Sequence, residues 1–472
     1  MTLQTTNGAI AVTRFGLGAR PGELDAASVE PQGWLKAQIT PSGGEQPQGP
    51  LPTGRAAFAA YTTALQDFRQ IKRDTSVAAP PGGVMKDGAP DDLKARRKAL
   101  LAPIRDGVRD EIVARTRLAT TTAQPFRERW TLFWANHFTV SAAKPKAAML
   151  AGPFEREAIR PHVFGRFETL LVASSTHPGM LMYLDQARST GPDSLAGTRR
   201  DAGLNENLAR EILELHTVGP DSGYTQADVI EFARALTGYS IGVDRDGGDQ
   251  AGLALFRPNL HEPGARTVLG RTCPAGGSEQ ARAILADLAT NPHTADHLAR
   301  KLAIHFVADD PPPALVARLR EAWTDSRGDL STVALALVEA PDAWTPQPAK
   351  FKRPYELLVS SYRAMGAIPA DGDREVIAPL TQMGDRPFTA PQPDGWSEQA
   401  SDWAAPDAVV KRLDWASGLS TALASAAPSP MQVADAALGD RLTAPVRTAI
   451  ARAETRPEAL TLLFMSPEFQ RR

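Results

Sequence analysis

The sequence predicts a mainly α-helical protein: a large all-α body carrying one small β-excursion near 239–271. Three observations predict it. Apolar residues recur at helical spacing over most of the chain, as in Leu208, Ile212 and Leu215. Helix starts are punctuated by caps and first-turn prolines, for example Thr225-Gln-Ala-Asp228 and Asn291-Pro292. Strand-like alternation is confined to Tyr239-Ser-Ile-Gly-Val243, Ala254-Leu-Phe256 and Thr267-Val-Leu269, separated by Asp-Gly-Gly and His-Glu-Pro-Gly turns.

Composition bounds the function. The 472 residues are 42% hydrophobic and 22% charged, ordinary globular values, and suffice for a sizeable core. A net charge of −2 gives no bulk attraction for nucleic acid or an anionic membrane. The single Cys273 excludes an intrachain disulfide framework and a Cys-based zinc cluster. No apolar run reaches the roughly eighteen residues of a membrane span. Met1 to Thr13 lacks the charged and apolar regions of a signal peptide, so the chain as written points to the cytoplasm; one that had lost a leader would point to the periplasm. Neither an internal repeat nor a long linker divides the chain, and 1–472 reads as a single helical domain.

Taken in order, Arg14-Phe-Gly-Leu-Gly-Ala-Arg-Pro21 reads as a tight Gly-rich turn, with an anion cradle as the lesser reading, before a helix over 23–39. Residues 40–53 and 76–90 are Pro/Gly loops around helices at 54–74 and 91–118. The helix over 124–141 places Trp130, Trp134, His137 and Phe138 on one face, with Arg129, Phe133 and Asn136 adjoining. Two amphipathic helices fill 146–175, and Pro178-Gly179 turns into a short helix whose Met180, Met182 and Tyr183 read as core. The polar loop 187–203 is long enough to suggest a function.

The stretch Asn205-Glu-Asn-Leu-Ala-Arg-Glu-Ile-Leu-Glu-Leu-His-Thr-Val-Gly219 is the most polar short helix, capped by Asn205 and stopped by Gly219. Glu206 and Arg210 stand at i, i+4, Glu211 and Glu214 share a face, and His216 closes the last turn as a donor to exposed carbonyls. Helices follow at 225–237, 278–290 and 292–307. On the last, His297, Lys301 and His305 form a stripe that, by itself, reads as solvated. His261 and Arg266 sit at the tip of the β-excursion. Further helices are predicted from Pro311-Pro-Pro313 to about 325 and over 329–340. Lys350-Phe-Lys-Arg-Pro354 then sets three cations, Arg353 among them, at a helix start running to Gly366, a mismatch relieved by a buried acid or an anionic ligand. The Pro/Trp-rich loop 384–404 walls a pocket or packs over the core. Helices near 406–425, 430–438, 442–453 and 456–465 finish the chain.

Several motifs together resemble the large bacterial family known as domain of unknown function 1800 (DUF1800). They include Arg14-Phe-Gly-Leu-Gly18, Phe133-Trp-Ala-Asn-His-Phe138, Met180-Leu-Met-Tyr-Leu-Asp185, Asn205-Glu-Asn-Leu-Ala-Arg-Glu211, His216-Thr-Val-Gly219, Lys301-Leu-Ala-Ile-His-Phe306, Phe351-Lys-Arg-Pro354 and Asp394-Gly-Trp396. The resemblance spans nearly the whole chain in order. It implies a mostly helical fold without an established activity. It also implies, in many members, an export signal, and frequent gene neighbours that resemble sulfatases and alkaline phosphatases. Arg266 stands where the resemblance leads one to expect a lysine, which keeps charge but changes donor geometry.

Two functional readings follow. In the first, the chain folds Asn136, His137, Asn205, Glu206, Arg210, Glu211, Glu214, His216, His261, Lys301, His305 and Arg353 into a polar cleft. There Glu211, His137 and His216 do acid–base work of a hydrolase kind on an anionic substrate, and the others bind it. A metal held by these histidines and Glu211 ranks below a metal-free anion site, because no compact His/Glu ligand pair occurs. The cofactor is otherwise unspecified. In the second reading the chain is a non-enzymatic accessory or scaffold of a sulfatase/phosphatase-like partner, and the same residues form a mutually satisfied network. A nucleophile-elbow hydrolase and a nucleic-acid binder lack their sequence patterns.

Overall fold

Helix Pro125–His137 is the axis about which the fold is laid. The computed structural model describes residues 3–77, 91–199 and 203–472. On this helix Phe126, Trp130, Phe133, Trp134 and His137 are all buried, as expected of a helix that is apolar nearly all round. Trp130 stacks on Phe164 with centroids 5.9 Å apart and donates its indole N–H to the Val163 carbonyl at 2.6 Å. Phe15 and Phe306 close on Phe126 at 6.2 and 6.0 Å. Burial of each such ring contributes roughly 1.5–3 kcal/mol.

The architecture is mainly α, as the sequence predicts. Differences from the expected boundaries have local causes. The helix expected over 23–39 is two, Glu23–Val29 and Pro31–Lys36, because Glu30 leaves helical backbone ahead of Pro31. The stretch 146–175 breaks into short pieces (Ala148–Leu150, Ala151–Phe154, Glu155–Ile159 and Arg160–His162) before helix Phe167–Thr176. Pro153 and Pro161 cannot donate the helical amide bond there. Helix Leu3–Ile10 and the wide turn Ala11–Phe15 had no sequence counterpart. Helices Gly54–Val77 and Asp91–Thr121 are present; of the loop expected at 76–90, the first two residues are helical and 78–90 lie outside the described residues.

The Gly-rich opening is a turn whose amides are spent. Gly16 and Gly18 donate to the Ala11 and Val12 carbonyls, and their own carbonyls receive Arg129 and Arg363 at 2.5 and 2.7 Å. The β-excursion is two antiparallel pairs, Tyr239–Ile241 with Ala254–Phe256 and Arg266–Val268 with Arg271–Cys273. The second turns through Leu269 and Gly270, both at positive φ, and ends two residues beyond the expected range.

A second apolar cluster gathers Leu357, Leu358 and Tyr362 of helix Pro354–Met365 with Ile112, Leu380, Leu460 and Phe464. The tail pairs with residues 350–352: the Arg472 amide donates to the Lys350 carbonyl at 2.9 Å and the Lys352 amide to the Gln470 carbonyl at 2.9 Å. This delivers the Arg472 guanidinium to the interior, 3.0 Å from Glu356. Among the described residues no helix is long and apolar enough to cross a membrane.

Candidate functional site

The central stretch folds as a short helix, Asn207–Glu211, followed by a wide turn, Ile212–His216. A helix end leaves carbonyls without intrahelical donors, and here the donors are imidazoles from elsewhere. His137, the last residue of its helix, places Nε2 at 3.2 Å from the His216 carbonyl. His297 places Nε2 at 3.3 Å from the Leu215 carbonyl. Lys301, one turn after His297 on helix Pro292–Phe306, approaches Nδ1 of His137 at 3.1 Å. With the ammonium donating, Nδ1 of His137 accepts and Nε2–H donates to His216, which fixes the tautomer. Gly219 makes room for this arrangement: it stands at φ +85°, and a Cβ there would lie 2.8 Å from the His297 ring.

His216 itself is buried, and neither of its ring nitrogens has a hydrogen-bond partner. Burial, with Lys301 and His297 nearby, lowers its pKa to about 3. The expected donor at the end of this helix is therefore a neutral ring, and His137 and His297 serve the carbonyls instead. Burial, followed by the Lys301 charge, holds His137 well below the ordinary histidine value and His297 at about 4. Burial also brings Lys301 down to about 8, against the opposing pull of Glu398 and Asp394. Lys301 and His297 are half-buried, whereas His137 and His216 are buried.

One turn further along, His305 is buried and not part of a solvated stripe. Its Nδ1 meets Glu398 at 2.8 Å, and its Nε2 is buried without a partner. Burial lowers His305 to about 4. Glu398 is held at about 2 although burial opposes its ionisation, because His305, Arg353 and Lys350 surround it. His305, Asn136 and Arg353 line a small cavity of about 60 Å³, together with Arg129, Glu356 and Asp385.

The Pro/Trp-rich loop roofs that cavity. Asn136 clamps it by accepting from the Trp396 amide and donating to the Trp396 carbonyl, both at 2.9 Å. Gly395 sits at φ +86° against this clamp, where a Cβ would come within 2.4 Å of the Asn136 carbonyl. The cations at 350–353 find acids: Lys350 reaches Asp309 at 2.5 Å and Arg353 reaches Asp385 at 2.7 Å. Asp385 also accepts the Tyr355 amide at 3.1 Å, and Glu356 is shared by Arg129 and Arg472.

The remaining predicted residues lie apart. Glu206 and Arg210 pair at 3.0 Å and share Gln226, with both side chains about a third exposed (32% and 38%). Asn205 is structural: its amide donates to the Leu184 carbonyl at 3.0 Å and its oxygen accepts the Asn207 amide at 2.9 Å. His261 Nδ1 bonds the Thr237 carbonyl at 2.9 Å and pins the β-excursion. Glu211 is half-buried; burial first, then Glu214 and Asp394, raise its pKa, and no imidazole is among its electrostatic neighbours. Glu214 accepts from Tyr224 Oη at 3.0 Å. The twelve residues expected in one cleft thus divide: an imidazole–lysine group, a roofed cavity, an acidic patch, and two surface or structural sets. Sequence reasoning did not select His297, Glu398, Asp385, Glu356 or Asp394. Only His297, at i, i+4 from Lys301, and Glu356, three residues after Arg353, carried a local signal. Among the described residues no group of three or more His, Cys, Asp or Glu is arranged to hold a metal ion.

A family model described as "Protein of unknown function (DUF1800)" matches residues 10–471. No curated protein and no solved structure matches the chain.

Proposed function

The chain belongs to the DUF1800 family, and from that premise we propose that it binds a small polar ligand at Lys301, His137 and His216 and exchanges a proton with it. The observation that carries this reading is the His216 imidazole, buried with both ring nitrogens unbonded beside a half-buried lysine. An unsatisfied buried polar atom costs about 1–3 kcal/mol, and a ligand with a donor and an acceptor removes that cost. Lys301 keeps two N–H bonds free of His137 and suits a carboxylate or carbonyl oxygen. Its proton is exchangeable near neutral pH, as general acid–base attack on an acyl centre requires. Glu211 lies with Glu214 and Asp394, and on this reading the acid–base role expected of it falls to Lys301.

A thermal-shift screen of small carboxylates, amides and phosphate monoesters, run on the natural chain and on His216→Phe and Lys301→Met, tests the reading. A compound that shifts the natural chain and neither folded variant supports it. Equal shifts in all three reject it.

One observation favours a second reading for the roofed cavity. Its arginines already have carboxylates, Arg129 on Glu356 and Arg353 on Asp385, which suits a network that holds helices together. On this reading the chain serves a partner of the sulfatase/phosphatase kind without chemistry of its own. Assay of such a partner with and without the chain, using Glu211→Gln and Lys301→Met, separates the two.

A further inference from the structure

A groove lined by none of these residues carries an unbalanced charge. It has a volume of about 930 Å³, within the range of about 300–1,000 Å³ for small-molecule sites, and runs beside helix Gly54–Val77. Its lining includes the apolar or aromatic residues Phe58, Tyr61, Leu181 and Ile241. The lining also holds Lys146, Arg188 and Arg199 with a single carboxylate, Asp185; Arg257, also lining, is already spent on Asp246 at 2.6 Å.

Asp185 is itself shared. It bonds Lys144 at 2.7 Å and pairs with Lys146, and it is held in the left-handed region at φ +62°. One negative charge therefore serves two ammonium groups. The Arg188 and Arg199 side chains make no ion pair or hydrogen bond with any described residue. Burial and the repulsion of Lys144 and Arg188 together lower the Lys146 pKa. Cations gathered this closely with one counter-charge are destabilising until an anion joins them. The polar loop 187–203, unexplained by the interior site, supplies Arg188 and Arg199 to this groove.

We propose that the groove is a second binding site, for a small molecule with at least two clustered negative charges of the phosphate kind and an apolar or aromatic body. Lys146 and Arg188 clasp the charge, and Phe58 and Tyr61 take the body. The site stands independently of the one at Lys301: no residue is common to both.

Isothermal titration of the full chain with adenosine diphosphate, pyrophosphate, citrate and adenosine tests it. Saturable one-to-one binding is expected in the order adenosine diphosphate, pyrophosphate, citrate, with none for adenosine and weakening as salt is raised. The Lys146→Ala/Arg188→Ala double variant should lose tenfold or more in affinity, and so should the exposed single change Arg188→Glu. Lys411→Ala, a half-buried charge outside the groove lining, should be without effect. The proposal is overturned by absence of binding, or by equal loss in Lys411→Ala. It is also overturned by unchanged affinity in folded Arg188→Glu, or by citrate binding as tightly as adenosine diphosphate.

Discussion

Lys301 Nζ lies 3.1 Å from Nδ1 of His137, so the ammonium is bonded to an imidazole and not to a carboxylate. A neutral acceptor keeps the pair at one positive charge, and burial outweighs the pull of Glu398 and Asp394 in lowering the lysine, to about 8. Acetylation of Lys301 by acetic anhydride, followed by peptide mass spectrometry across pH, should show a midpoint near 8. A midpoint at the ordinary lysine value of about 10.4 would refute the described environment.

Stability should fall on the acid side of neutrality. His216, His297 and His305 have folded pKa values of about 3, 4 and 4, against an ordinary 6.5, so unfolding takes up protons between those limits. Their contribution is complete above about pH 6.5 and is lost as pH drops toward the folded values. Glu211, with its pKa raised, works in the opposite sense and offsets part of the loss. Glu398, held at about 2, adds to the loss only below its ordinary value of 4.5. Urea midpoints measured from pH 7 to 4.5 should decline steadily. His216→Phe should flatten the decline by about one proton; an unaltered slope would mean that His216 titrates normally.

Two carboxylates predict opposite outcomes on neutralisation. Glu356 serves buried Arg129 and Arg472, whose charges hold it well below the carboxylate range although burial opposes ionisation. Glu356→Gln leaves two buried guanidiniums short of a counter-charge and should cost about 3–5 kcal/mol. Glu206→Gln removes an i, i+4 surface pair and should cost about 0.2–0.5 kcal/mol. Urea unfolding at pH 7 measures both, and similar losses would contradict the burial difference.

The roof of the cavity hangs on Asn136. Asn136→Leu removes both bonds to Trp396 and leaves its amide and carbonyl unserved, costing about 1–3 kcal/mol. Faster chymotryptic cleavage after Trp396 and a red shift of tryptophan emission are the expected signs. Gly395→Ala, which forces a Cβ onto the same clamp, should reproduce them. Unchanged proteolysis in both variants would show that the loop is held by other contacts.

The sequence alone determined what obeys local rules. The capping box at Thr225 and Asp228, the Asn291 cap before Pro292, and a β-excursion placed at 239–271, two residues short of its observed end, all follow from side chains within a few residues of one another. It also flagged the three cations before helix Pro354–Met365 as needing an acid, without saying which. Only the tertiary structure decided which polar groups meet. His137 finds Lys301 across 164 residues, Asn136 finds Trp396 across 260, and Glu211 finds Glu214 and Asp394 in place of an imidazole. Helical spacing assigns a side chain to a face, but the neighbour of that face depends on how helices cross. Crossing is set by the fit of apolar ridges throughout the core and is not written in any one stretch.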